Sequence, residues 1–206
     1  MATPGTRGEY AKSARRREEI IRAAVEVFSE SGFRDGSLRQ VAERAGMTHA
    51  GMRHHFPTKS DLLEAVLQWR EHQALERARR SHPVGLEVLR AWVDSVADSI
   101  TRPALVELEA VLGAEAISPK NPAHDYFDDL YRRAVDLLEK SFSVAAAEGV
   151  LRDGIPPRTA ARLVLSTTLG LQSLWLRDKS IDVAVELELQ VRSMITTDLP
   201  PAMSEE

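Results

Sequence analysis

Between Ser37 and Leu67 the chain reads SLRQVAERAGMTHAGMRHHFPTKSDLLEAVL, and no other stretch restricts the fold as much. Leu38, Val41, Ala42 and Ala45 recur at spacings of three and four, the period of one helical face. Gly46 follows, where a left-handed residue ends one helix and turns the chain sharply into another. Thr48 is placed to cap that second helix, its hydroxyl accepting from an orphan backbone N–H. The pattern predicts a helix-turn-helix whose second helix, about Thr48 to His55, is short and polar on its outer face. A helix of that kind fits the major groove of B-DNA, which is about 12 Å wide.

The remaining chain supports this reading once its charge is divided. The whole sequence of 206 residues has a net charge of −4, an unpromising total for a nucleic-acid binder. Residues 1–60, however, carry 11 Lys/Arg and 7 Asp/Glu, a net +4, and the rest carries −8. A basic front on an acidic body suits a protein in which one small part meets phosphate. Charged residues at 28% and hydrophobic residues at 43% are ordinary for a soluble globular chain with one or two domains. Cysteine is absent, so no disulfide or thiolate zinc site is available. The start, MATPGTRGEYAKSARRR, lacks the apolar stretch of a signal peptide, and no apolar run approaches the ~18 residues that span a bilayer. A cytoplasmic location is expected.

Strand signals are nearly missing and helical periodicity recurs throughout, so the expected class is all-α with about nine helices. Residues 1–13 read as a disordered arm. Helix 1 is predicted from about Ser13 to Ser31, with Ile20, Ile21, Ala24, Val27 and Phe28 inward and Gly32 ending it. Helix 4 opens near Lys59 and carries Leu62, Leu63, Val66 and Leu67 toward Arg80, before His82-Pro83. Helix 5 spans Leu86 to Ile100, helix 6 Ala104–Ile117, and helix 7 runs past Phe127 and Phe142 to Gly149. Helix 8 follows Pro156-Pro157, and helix 9 covers Ile181–Ile195. Prolines fall between these patterns rather than inside them. The domains expected are a helix-turn-helix head over 14–58, a connecting helix over 59–80, a ligand-binding and dimerisation domain over 81–200, and a tail over 201–206.

Several residues come in a recognisable order over 14–67. They are Ile20–Phe28 with Gly32-Phe33, Val41-Ala42 with Ala45-Gly46, His55-Phe56-Pro57-Thr58-Lys59, and Leu62-Leu63 with Val66-Leu67. With this set the chain resembles the DNA-binding domain of the tetracycline-repressor (TetR) family, one-component bacterial transcription regulators. It departs from the family's pattern where an aromatic, most often Tyr, usually stands in the recognition helix: here the residue is Arg53. Two positions earlier, Gly51 replaces a small or hydroxyl residue and lowers helix propensity by about 1 kcal/mol relative to alanine. Arg53 remains able to pair with guanine in bidentate fashion.

DNA contacts are expected from Ser37 at the N-terminus of helix 2, from Arg39 on its outer face, and from Thr48, His49, Arg53 and His54 on helix 3. The family resemblance adds Lys59 as a phosphate contact. Arg15, Arg16 and Arg17 adjoin this reader and are expected at phosphates or in the minor groove. His54 and His55 point about 100° apart and cannot share an ion. His72 and Glu76 have helical spacing but no third ligand, so no metal or other cofactor is expected. His55 and Phe56 should pack on helix 1. No nucleophile elbow or phosphate loop is present, and an enzyme is not expected.

The resemblance implies a small-molecule cavity among helices 4 to 8, for which Trp92, Tyr126, Tyr131, Thr168, Gln172 and Trp175 are the proposed wall. Helix 8 is free of charge from Leu163 to Leu176. Its Leu163, Thr167, Gly170 and Leu174, with Val185, Leu189 and Met194 of helix 9, suggest burial on two sides, as in a four-helix bundle between two chains. The reading is a homodimeric transcriptional regulator, most simply a repressor released from a palindromic DNA operator by a small-molecule effector. Two alternatives stay open: an activator of the same fold working without a metabolite, and a helical ligand-binding or assembly module that has lost DNA affinity.

Overall fold

A computed structural model describes residues 7–78 and 83–201. Over that range the chain forms nine α-helices: α1 (Arg7–Asp35), α2 (Leu38–Arg44), α3 (His49–His55), α4 (Lys59–Ala78), α5 (Leu86–Ser99), α6 (Pro103–Glu115), α7 (His124–Ala147), α8 (Pro157–Arg177) and α9 (Val183–Arg192). The all-α expectation holds, and no strand occurs among the described residues; an isolated antiparallel bridge joins Leu151 to Ile195. Pro103 and Pro157 sit in the first turns of α6 and α8, where a missing N–H costs no helical bond.

The start of α1 departs from the sequence reading. Helix begins at Arg7 rather than near Ser13, so much of the expected disordered arm is helical; residues 1–6 lie outside the described residues. The reason is local. Arg, Glu, Lys and Ala dominate this stretch, and the pairs Arg15–Glu19 and Glu18–Arg22 lie one helical turn apart. At the other end, the expected tail is described only at Pro201.

Two hydrophobic clusters organise the helices. The first gathers Ile20, Ala24 and Phe28 of α1, Val41 of α2, Met52 of α3, and Leu62 and Val66 of α4 with Leu108 and Leu112 of α6. The second joins Leu89 and Val93 of α5, Leu138 and Phe142 of α7, Val164 of α8, and Leu187 and Val191 of α9. The helix-turn-helix therefore shares its core with α6 and the start of α7 (Phe127), not only with its sequence neighbours. This continuity fixes where the outer face of α3 stands relative to the body.

Candidate nucleic-acid interface

The α2–α3 pair is set by short-range chemistry. Ser37 caps α2, its Oγ accepting from Gln40 N at 3.3 Å. At the far end Gly46 takes φ 62; Met47 N donates to Ala42 O at 2.9 Å and Gly46 N to Glu43 O at 3.1 Å. These two bonds are a Schellman closure, which satisfies carbonyls that the helix end leaves open. Thr48 then caps α3 by accepting from Gly51 N at 3.1 Å. Met52 and the following Phe56 are fully buried, so the inner side of α3 is anchored in the first core. Thr48, His49, Ala50, Arg53 and His54 are exposed on the other side.

The cations expected at DNA divide into two groups. Arg53 is exposed and has no ion pair among the described residues. Arg39 is exposed and pairs with Glu43 one turn along α2, and Arg15 pairs with Glu19. Such exposed pairs contribute little and can exchange a carboxylate for a phosphate. Arg16 and Arg17 are turned toward the protein. Arg16 bonds Glu19 at 2.8 Å and reaches Gly46 O at 3.3 Å. Arg17 donates to His55 O at 3.2 Å and lies 4.1 Å over the Phe56 ring. They strap α1 to the turn before α3 and to its last residues. Lys59 is likewise occupied, donating to the carbonyls of Phe33, Arg34 and Gly36. On the flank of the head, Arg44 of α2 joins Glu26 and Glu30 of α1.

Burial holds the His55 imidazole below its ordinary pKa, helped by the charges of His54, Arg17 and Arg16. Its ring is half-buried at the edge of α3, in keeping with a packing role beside Phe56. Among the described residues no group of three or more His, Cys, Asp or Glu side chains is assembled as a metal site, and no helix is long and apolar enough to cross a membrane.

The six residues expected to wall a cavity fall in two places. Tyr126 and Tyr131 pack against the first core, beside Phe127. Burial pushes the Tyr131 hydroxyl up to about 12, with the Glu109 charge adding to it. Trp92, Thr168, Gln172 and Trp175 belong to the second core, where they are already bonded or packed. Trp92 Nε1 donates to Thr168 Oγ1 at 3.0 Å, and Gln172 Nε2 to Ser99 Oγ at 3.1 Å. Of the six, Tyr126 reaches a groove of about 370 Å³ beside α4, with Leu63, Glu64, Leu67, Glu71 and Pro122. Behind it Arg70 bonds both Glu109 and Tyr126 OH, joining α4, α6 and α7; isolated charges on separate helices gave no sequence signal for this triad. Burial opposes charge on Arg70, and Glu109 with Tyr126 overcomes it and raises its pKa.

The residues expected at a dimer face differ in exposure. Leu163 and Leu174 of α8 and Val185 and Leu189 of α9 are exposed apolar side chains, and Gly170 is open between them. Thr167 is half-buried on the same side of α8. Met194 is the correction: only 2% exposed, it lies in the second core, because the chain turns inward after α9 to form the bridge at Ile195.

A capped, outward-facing second helix on a firmly held first one defines a helix-turn-helix DNA-binding regulator. The family model of bacterial regulatory proteins, tetR family, matches residues 20–66. Over those residues the chain matches the DNA-binding domain of that family. The HTH-type transcriptional repressor BepR of Brucella suis biovar 1 is 26% identical over 203 residues, covering 93% of this chain and 96% of BepR. The crystal structure of native NalD, secondary repressor of the MexAB-OprM multidrug efflux pump in Pseudomonas aeruginosa, matches with a TM-score of 0.67 at 26% identity, over 89% of this chain and 98% of NalD. A TetR-family regulator from Agrobacterium tumefaciens shares the fold, with a TM-score of 0.74 at 20% identity over 89% of this chain and 100% of its own.

Proposed function

We propose that the protein is a homodimeric repressor that holds a palindromic operator and is released by a small-molecule effector. The observation that carries this reading is the pairing of two unpartnered surfaces. One is the polar outer face of α3 with Thr48, His49, Arg53 and His54; the other is the apolar strip Leu163, Leu174, Val185 and Leu189. Exposed apolar patches on a soluble chain mark association surfaces, and a self-complementary strip on two helices suits a two-fold four-helix bundle. Two copies would then present two α3 helices to half-sites about 34–36 Å apart or a multiple of that. Arg53 reads base edges or phosphate, with Ser37, Arg39 and Arg15 on the backbone of the duplex. BepR and NalD are named as repressors, which favours repression over activation here.

The groove along α4 is the effector's point of entry in this reading, since it touches both the head-proximal Leu63 and the body residues Pro122 and Tyr126. An effector that empties the operator must favour the released state by about 1–3 kcal/mol. The domains follow as a head over 14–58, a connecting helix, and a body that binds ligand and partner, all acting on chromosomal DNA in the cytoplasm.

The test is sedimentation of the purified protein, followed by fluorescence anisotropy on a duplex that the protein itself selects from random-sequence DNA. A two-chain particle that prefers the selected duplex, and that leaves it when low-molecular-mass cell extract is added, is the expected result. A monomer, or equal affinity for unselected DNA at the same salt, contradicts the reading.

A further inference from the structure

The last turn of α1, from the break at Gly32 to Gly36, leads into the cap of α2, so its attitude sets that of the whole helix pair. Gly32 takes φ 71, ψ 177 and breaks the helix. Phe33 to Asp35 then form a lone turn, which has open N–H groups at its start and open carbonyls at its end. Both ends are met by charged side chains from elsewhere. At the start, the Glu115 carboxylate accepts from Phe33 N at 2.8 Å and Arg34 N at 3.2 Å. At the end, the Lys59 ammonium donates to Phe33 O at 2.6 Å, Arg34 O at 3.1 Å and Gly36 O at 2.8 Å, and sits 4.6 Å over the Phe33 ring. An anion at the N-terminal end and a cation at the C-terminal end is the arrangement that a helical turn's dipole favours.

Three further facts set this clamp apart from casual pairing. Glu115 is the last residue of α6, where the helix dipole disfavours a carboxylate; its two N–H partners offset that cost. A β-carbon at Gly32 would collide with Glu115 Oε1 and come within 3.3 Å of Val111 Cγ1, so the approach requires glycine. The end of α6 is itself tied down, with His124 Nδ1 2.7 Å from Ala116 O.

We propose that Glu115 and Lys59 are positioning residues for operator reading. They cap the Phe33–Gly36 turn from its two ends, hold α2 and α3 at a set angle to α6, and do not touch DNA. The inference rests on the DNA-binding reading above, and it moves Lys59 from phosphate contact to internal support. An ammonium has three donors, and three carbonyls take them.

A phosphate contact and a positioning contact differ in their response to salt. Losing one phosphate contact reduces the slope of log affinity against log salt by about 0.9, whereas losing position weakens binding without changing the slope. Position also governs how strictly the two heads of a dimer demand one half-site spacing. The experiment compares full-length wild type with Glu115→Ala, Glu115→Gln, Lys59→Met and Arg53→Ala on the wild-type-selected duplex, and on duplexes with one base pair added between half-sites. Binding is read across about 50–200 mM salt, with a thermal melt for each variant.

Glu115→Ala and Lys59→Met should bind about tenfold more weakly, keep the wild-type slope and discriminate less between spacings. Glu115→Gln, which retains one acceptor oxygen, should fall between and carries the comparison if the alanine variant does not fold. A slope reduced in Lys59→Met as in Arg53→Ala would return Lys59 to the phosphates and overturn the proposal. So would unchanged affinity and spacing preference in the Glu115 variants. Failure of wild type to select any duplex would instead remove the DNA-binding reading, and this inference with it.

Discussion

Arg53 and Arg17 have the same side chain in the same head and opposite orientations. Arg53 stands clear on α3, whereas Arg17 lies over Phe56 and bonds His55 O. Arg53→Ala should therefore weaken operator binding and reduce the salt slope by about 0.9, with little change in melting temperature. A salt titration by anisotropy checks this, and an unchanged slope counts against a phosphate contact. His55 supplies a pH prediction. Its pKa is lowered in the fold, chiefly by burial, so the unfolded chain takes up the proton first. Stability is unaffected well above the ordinary value of 6.5 and falls as the pH drops through it. Urea unfolding at alkaline and mildly acid pH should show a smaller acid loss for His55→Gln than for wild type; equal losses would exclude His55 as a source. The arginine triplet was visible in the sequence, but the direction in which each side chain turns was not. That depends on Gly46 O and Phe56, 30 and 39 residues further along.

Among the helices, the local signals did most of the specifying. Thr48 caps α3 and Gly46 turns the chain as their residue types demand, because capping and left-handed geometry involve only a few neighbouring residues. Thr48→Ala should cost about 1 kcal/mol of stability through loss of the cap, measured by urea unfolding. Two glycine substitutions separate backbone conformation from crowding. Gly46 has open space around its α-carbon, so Gly46→Ala should cost about 1 kcal/mol from φ alone. Gly32→Ala carries the same conformational cost and adds the collision with Glu115, so it should destabilise more. Equal losses would mean that Glu115 moves aside freely. The charge-free run of α8 suggests burial on two sides. One side is indeed in the core through Ala161, Val164 and Leu171, and the other is exposed. Periodicity separates the two faces but cannot say what covers the outer one.

In the molecule as a whole, the head and body are joined by α6 as well as by α4, a feature without a sequence pattern because its partners lie some 80 residues apart. Leu108 and Leu112 complete the core under α1, and Glu115 reaches the backbone beyond it. At the opposite end the buried Arg90 holds Pro200 O at 2.8 Å and Glu188 at 2.9 Å, which fastens the segment at Pro200 and α9 to α5. Arg90→Ala should destabilise by about 1–2 kcal/mol, because the half-buried Pro200 carbonyl loses its donor while Glu188 keeps Arg192; a calorimetric melt tests it. The exposed strip on α8 and α9 has the larger consequence. Leu174→Glu with Leu189→Glu should yield a folded monomer whose operator affinity is lower by about a hundredfold or more, since linking two heads converts the second contact into an intramolecular one.

Footprinting of the full-length protein on its selected duplex, with sedimentation of the same complex, examines this arrangement in a single measurement. The account requires an even number of chains per duplex and protection on one face of the DNA, centred on two major-groove segments about 34–36 Å apart or a multiple of that. A single protected segment with one chain bound, or uniform protection without sequence preference, would contradict it.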